Sequence, residues 1–486
     1  MDKYIKLKKK RIDNIKKMYQ SYSFDGSIYL FGYGAVGRPL LYMLIKIIKL
    51  NTSNIIIIDK EDKRDEIEYF LRMGVKFVHS QINKYTYKKL LEKINTDDII
   101  IDCAYNIYTL EIIQFCQEKK CHYINSCIED WDYKIISDPI KYSLYNKHVE
   151  LKKYNDCLEK KYYNAILSMG CNPGNVSIWT KLGLEKINEK YKHTYKSYAE
   201  LAKKLGVQVI HISERDTQIT YRPKKRNEYC NTWSTDGESY YEEALGCVEL
   251  SWGTHERILP NDIKILEDHF MIIDRLGITT YAQSVVPIYG NFIGNIIRHD
   301  EAHTIGKTLE YKENNKIIYK PSVYYVYHPS DATKISLDEF KEKDFEYQKN
   351  YRLMTDEIIH GRDILGLTFF LENKEVYFIG SILSIDEARE IFNYEFNEWV
   401  NATNVQVMAG YLAGVLHLID LLKNKEYNGL IIPDELPHHK IFNLNKNFLG
   451  EFIFKKIDNF KLIKYSKKFT DKQSLIDDWQ FENFIV

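Results

Sequence analysis

The run Ser27-Ile28-Tyr29-Leu30-Phe31 passes at once into Gly32-Tyr33-Gly34-Ala35-Val36-Gly37, and a helical pattern begins near Arg38. This strand, glycine loop and helix form the order that a dinucleotide requires. Gly32 permits a tight turn, Gly34 lets backbone amides approach a pyrophosphate, and Gly37 allows the helix to pack closely on the strand, with Ala35 and Val36 completing the loop. The helix N-terminus then faces the phosphates. The β-branched run Asn54-Ile55-Ile56-Ile57-Ile58-Asp59 follows, and Asp59 falls where a second strand presents an acid to the adenosine ribose. A carboxylate there accepts from the 2′-OH and repels a 2′-phosphate, so the expected cofactor is NAD rather than NADP.

Further alternation predicts a parallel sheet. Lys88 to Ile94 reads as helix, Asp98 to Asp102 as strand, Thr109 to Lys119 as helix and His122 to Asn125 as strand. Their carboxyl ends would line the cofactor crevice, which places Asp102 to Asn106 and Ser126 to Glu129 near its reactive end. Ordinary strand-to-helix loops explain the same residues equally well. Tyr163 to Met169 is strand-like, and Asn172 and Pro173 are expected to cap and open the helix from Val176. Val207 to Ile212 leads into Ser213-Glu214-Arg215-Asp216, putting Glu214 at a strand end.

At 486 residues the chain needs two or three cores. The expectation is an α/β protein: an N-terminal extension over 1–26, an NAD-binding Rossmann domain over 27–170, an α+β substrate and dimerisation domain over 171–400, and a helix and tail over 401–486 packing back on the Rossmann domain. Lys plus Arg balances Asp plus Glu at 68 each, so no global field draws in nucleic acid or an anionic membrane. Leu40 to Leu50 is broken by Lys46 and Lys49, and a membrane span is not expected. The eight cysteines form no CxxC pair, which fits free thiols in a reducing, cytoplasmic compartment. His299 and His303 have i, i+4 spacing but lack the HExxH pattern, so no metal is expected.

The stretches Tyr229 to Gly237 and Glu249 to Glu256 set Trp233 and Trp252 among carboxylates. A tryptophan face attracts a cation and neighbouring acids add Coulomb attraction, a combination suited to an amine. Core packing is the alternative for both rings.

Together with GYGAVG, the blocks Asn125 to Trp131, Cys171-Asn172-Pro173-Gly174-Asn175-Val176-Ser177, Ser213 to Gln218, Tyr229 to Gly237, Glu249 to Glu256, Ile297 to Ala302 and Asn404 to Gly414 resemble bacterial-type homospermidine synthases of the saccharopine dehydrogenase-like group. The resemblance runs from about Ser27 to about His438. It implies an NAD-dependent homodimer that joins putrescine-derived units, or putrescine and spermidine, by oxidation, imine exchange and re-reduction. It also implies site residues: Trp233 as the cation–π surface, Glu214, Glu129, Asn172 and His299 at the reacting end, and Glu301, Asp363, Asp236 and either Glu242 or Glu243 as acidic substrate contacts. Gly32, Gly34, Ala35, Val36, Gly37, Asp59, Asp102 and Asn106 would hold the cofactor. The rivals are a reductive amine-forming dehydrogenase of the saccharopine or carboxynorspermidine type, which would need an arginine clamp from Arg215 or from the stretch Arg222 to Arg226, and a non-catalytic NAD or polyamine binder.

Overall fold

The computed structural model describes residues 19, 21–131, 141–234, 243–265, 270–392, 396, 399–458, 460–462 and 479–486. The isoleucine-rich runs form a parallel sheet of seven strands, in the order Gly429–Ile431, Asn164–Ile166, His122–Asn125, Ile99–Asp102, Ile28–Phe31, Ile55–Asp59 and Lys76–His79. Strands covered on both faces need apolar residues at nearly every position, and Ile28–Phe31 and Ile99–Asp102 are buried throughout. The chain winds outward from Ile28–Phe31 in one direction, then returns to its other side with Ile99–Asp102. That reversal opens a crevice at the carboxyl ends of the two strands.

The second layer is a ten-stranded mixed sheet. Its central strand, Val207–Asp216, pairs parallel with Ser322–His328 and antiparallel with Arg362–Leu371. Glu214 therefore has Tyr327 on one side and Leu365 on the other, and Asp216 faces Asp363. The molecule is thus an α/β protein: a Rossmann-type sheet joined to an α+β layer.

The helix Ala402–Lys423 joins the layers, contacting the helix Gly37–Ile47 and the strand His122–Asn125 on one side and the strands Arg362–Leu371 and Val376–Ser384 on the other. It is long and apolar enough to cross a membrane, a feature missed in the sequence, but here it is a core helix with 83% of its most apolar window buried. Gly410 lets it approach the loop before Asn175: a Cβ there would stand 1.9 Å from the Gly170 carbonyl oxygen.

Several local expectations change. Asn172 caps nothing, because the helix begins at Asn175 with Gly174 as its N-cap residue, and Pro173 lies outside it. Glu214 lies within its strand rather than at the end. Ser23–Phe24 pairs with Lys49–Leu50, and Tyr19 is fully buried against Phe448, so the end of the N-terminal extension belongs to the fold. The 401–486 stretch is divided between layers. Gly429–Ile431 extends the parallel sheet, whereas Glu451–Ile457 pairs with Val376–Ser384 in the mixed sheet and Trp479, Phe481 and Phe484 fill the core beside it.

Candidate active site

A cavity of about 540 Å³ runs from the edge of the parallel sheet at Asp59 and Ser80, over the glycine loop, to the mixed sheet at Glu214 and His299. Gly32 and Gly37 shape its first end. Gly32 turns with φ of 80°, and a Cβ on it would meet the Cys103 carbonyl oxygen at 2.8 Å. A Cβ on Gly37 would stand 2.2 Å from the Gly32 carbonyl oxygen, so only glycine lets the helix start this close to the strand. Gly34, Val36 and Asn106 line the cavity, while Ala35 is buried beneath it. Asp59 is fixed by the backbone: Oδ2 accepts from the Tyr33 N–H at 2.6 Å and Oδ1 from the Glu61 N–H at 2.8 Å. This cradle fits a dinucleotide, with backbone at the pyrophosphate position and a held acid at the ribose position.

Asp102 departs from expectation, because it does not line the cavity. Its oxygens are occupied within the strand end, accepting from Ala104 N–H at 3.0 Å and Tyr123 O–H at 2.6 Å. Burial pushes its carboxyl up to about 8, and it acts as a support for the loop.

The opposite end gathers acids. Glu214 Oε2 accepts from the Asn172 amide at 2.7 Å and from the Tyr325 hydroxyl at 2.7 Å. Burial raises the Glu214 carboxyl despite those bonds. Glu129 accepts from the Ile107 N–H at 3.3 Å and the Cys127 thiol at 3.1 Å, and burial pushes it up to about 7. Glu243, whose side chain stays 39% exposed, is likewise pushed up to about 7, its partial burial being the largest cause. Trp233 lines the same space, its ring edge-on to Tyr327 with centroids 5.6 Å apart.

His299 lies between these groups, 3.2 Å from Glu301 Oε1 and 4.0 Å from Glu243 Oε2. Burial opposes its charge, but Glu301, Glu243 and Asp300 outweigh that and push the imidazole up to about 9. In the free site it is therefore an imidazolium at neutral pH, and a poor proton acceptor.

Glu301 and Asp363 do not line the cavity; they form a second layer behind it. Glu301 Oε1 holds His299, while its Oε2 is buried with no hydrogen-bond partner among the described residues. Asp363 accepts from the Thr403 hydroxyl at 2.7 Å, and burial with Glu214 and Asp216 nearby raises its carboxyl well above the usual range. Asp236 and Glu242 lie outside the described residues, so of the two candidate loop acids Glu243 alone is placed, and it lines the cavity.

The segment Glu249 to Glu256 does not reach the cavity. Glu249 binds Arg298 at 3.1 Å and the Leu144 N–H at 2.9 Å, and Trp252 packs in the core. His303 does not share a site with His299, since it packs among Tyr145, His148 and Phe270. The sequence reading missed Tyr325, Tyr327, Asp216 and Thr403. The alternation Tyr325-Val326-Tyr327 carries a signal for the first two, because alternate strand residues share a face. Asp216 and Thr403 become neighbours of the site only through sheet pairing and helix docking.

Converging buried carboxylates need counter-charge, and no arginine lines this cavity among the described residues. Arg215 is committed elsewhere, donating to the carbonyls of Asp216 at 2.6 Å and Pro329 at 3.2 Å and stacking over Tyr289. The arrangement suits a ligand that brings its own cationic N–H donors.

Comparison with known proteins agrees with this geometry. A family model described as the saccharopine dehydrogenase NADP binding domain matches residues 28–166. The homospermidine synthase of Mesorhizobium japonicum is 28% identical over 485 residues, covering 95% of this chain and 96% of that protein. The homospermidine synthase of Blastochloris viridis is 26% identical over 479 residues, covering 95% and 98%. The crystal structure of the Legionella pneumophila homospermidine synthase in complex with NAD superposes with a TM-score of 0.84 at 29% identity, covering 96% of this chain and 98% of that one. With matches along nearly the whole length and a common fold, the chain is similar to homospermidine synthases of the saccharopine dehydrogenase-like group.

Proposed function

We propose that the protein is an NAD-dependent homospermidine synthase that joins two putrescine units with release of ammonia, spermidine being the alternative second substrate. The observation that carries this reading is the single cavity joining the dinucleotide cradle to Glu129, Glu214, Glu243 and Trp233. The relatives' activity and the NAD held by the Legionella pneumophila protein support it.

Bound at the glycine loop, NAD would supply a hydride acceptor and, once reduced, the donor. The chain's residues handle charge. Putrescine enters as a dication, since alkylamines titrate near the lysine value of about 10.4. Hydride leaves only a carbon next to a neutral nitrogen, so one ammonium must first lose its proton. Glu214, fixed by Asn172 and Tyr325 and raised by burial, is the assigned acceptor, because a carboxyl moved towards neutrality exchanges protons at working pH. Glu129 and Glu243 hold the distal ammonium. Attack of a second amine on the resulting imine expels ammonia, and re-reduction gives the secondary amine with no net redox change. Trp233 stabilises the passing iminium through its ring face.

A carboxylated substrate, as in the reductive rival, meets no arginine among the described residues that line the cavity. We also assign the family's homodimer to this chain, which light scattering after gel filtration would check. The direct test incubates purified protein with putrescine and substoichiometric NAD, with mass analysis. Homospermidine and ammonia in many-fold excess over NAD are expected. Amine product formed only with stoichiometric NADH consumption and a carbonyl partner would overturn the reading.

A further inference from the structure

The adenosine end of the cavity carries more charge than Asp59 alone. Lys63 and Glu61 both line it, next to Asp59 and Lys60. Lys63 Nζ stands 2.5 Å from Glu61 Oε2 and 3.3 Å from Glu66 Oε1. The other Glu66 oxygen binds Arg38, whose guanidinium also donates to the Tyr33 carbonyl at 3.3 Å and lies over the Tyr33 and Trp399 rings. A lysine lining a ribose site, with an arginine one carboxylate behind it, is equipment for gripping a 2′-phosphate. Here each has a carboxylate on it. The Lys63 contact also holds the Glu61 carboxyl below its ordinary range, so that pair stays ionised through neutral pH.

We propose that Glu61 and Glu66 are specificity-determining residues: by occupying Lys63 and Arg38 they mask a latent 2′-phosphate site, and so complete the discrimination against NADP that Asp59 begins. This rests on the reading of the cavity as an NAD site. It goes beyond it by moving part of the selectivity onto residues that need never touch NAD. Asp59 repels the 2′-phosphate directly, whereas the glutamates withhold the groups that would attract it. The two contributions are therefore separable.

The test measures dissociation constants for NAD and NADP by titration, with no turnover required. The proteins are the unaltered chain, Glu61→Gln/Glu66→Gln, the same pair combined with Asp59→Asn, and Asp59→Asn alone. Freed Lys63 and Arg38 would make charge-assisted bonds to the phosphate, so the Gln pair should tighten NADP about tenfold in either background while NAD moves less than about twofold. The gain should shrink at high salt, fall when Lys63→Gln is added and vanish when Arg38→Gln is added as well. A folded Gln pair that binds NAD normally but gains nothing for NADP overturns the proposal. So does a gain that survives both Lys63→Gln and Arg38→Gln. Should the double variant fail to fold, Glu61→Gln alone, at a side chain 61% exposed, gives the same comparison with a smaller expected gain. An unaltered protein that binds neither dinucleotide would instead overturn the cofactor reading itself.

Discussion

The two ends of the cavity solve opposite problems. At the dinucleotide end Asp59, Lys63 and Arg38 have their charges matched before any ligand arrives: both Asp59 oxygens accept backbone N–H groups, and Lys63 and Arg38 sit on glutamates. At the acidic end, Glu214 is buried and Glu129 and Glu243 are half-buried, all with carboxyls raised, and Glu301 keeps a buried oxygen without a hydrogen-bond partner among the described residues. One end meets its ligand with these charges already matched. The other is electrostatically incomplete and is completed by a cation. A site of the second kind selects by charge as well as shape, because a neutral ligand would leave the desolvation cost of its acids unrelieved.

The variant expected to separate the ends most is Glu214→Gln. The amide keeps the volume and one acceptor oxygen for Asn172 and Tyr325, but it cannot take a proton from an ammonium. Turnover with putrescine should fall by about a hundredfold or more, within the usual contribution of a positioned proton acceptor, while NAD affinity stays within about twofold. Parallel loss of putrescine and NAD binding would show that the two ends are not independent, and would return Glu214 to a structural role.

The same contrast explains what could be read from the chain. The dinucleotide end is contiguous: strand, loop, helix and the acid at the next strand end lie within residues 28–59, and each glycine has a local steric reason that survives without tertiary context. The acidic end draws on Asn172, Glu214, Trp233, Glu243 and His299, whose meeting depends on sheet pairing between distant strands. A family resemblance could nominate them, but local pattern could not distinguish the lining residue Glu214 from the supporting residue Asp363. Nor could it show that Glu249 is spent on Arg298, 49 residues further along the chain.

Trp233 offers the next largest effect, and it sharpens the claim that the acidic end works by charge. Phe keeps an aromatic face with a weaker quadrupole, and Leu keeps apolar volume with none. Loss of about 1 to 2 kcal/mol of cation stabilisation corresponds to roughly a fivefold to thirtyfold fall in rate, so Trp233→Leu should show that fall and Trp233→Phe a smaller one. Melting temperature and NAD affinity should change little in either. A folded Leu variant with unaltered turnover would leave Trp233 as a packing residue beside Tyr327.

The smallest effect, a few degrees in melting temperature, bears directly on whether the acidic end is incomplete without ligand. The Glu129 and Glu243 carboxyls are raised by burial from 4.5 to about 7, so between those values the folded protein holds protons that the unfolded chain has released. Stability from these groups is fully present below about pH 4.5 and is lost as pH rises through about 7. His299 acts in the same direction at higher pH: raised from 6.5 to about 9, it contributes stability that is lost as pH passes through that value. The unliganded protein should therefore melt at progressively lower temperature from pH 5 to pH 7.5. Putrescine remains a dication throughout that range and favours the ionised carboxylates, so the stabilisation it confers should grow as pH rises. NAD, meeting groups already paired at its own end, should confer nearly the same stabilisation at both pH values. Thermal melts of the free, putrescine-bound and NAD-bound protein at pH 5 and pH 7.5 make the comparison. A putrescine shift that stays constant or narrows with pH would mean that the buried acids are balanced within the fold, and the division between a finished end and an incomplete one would fail.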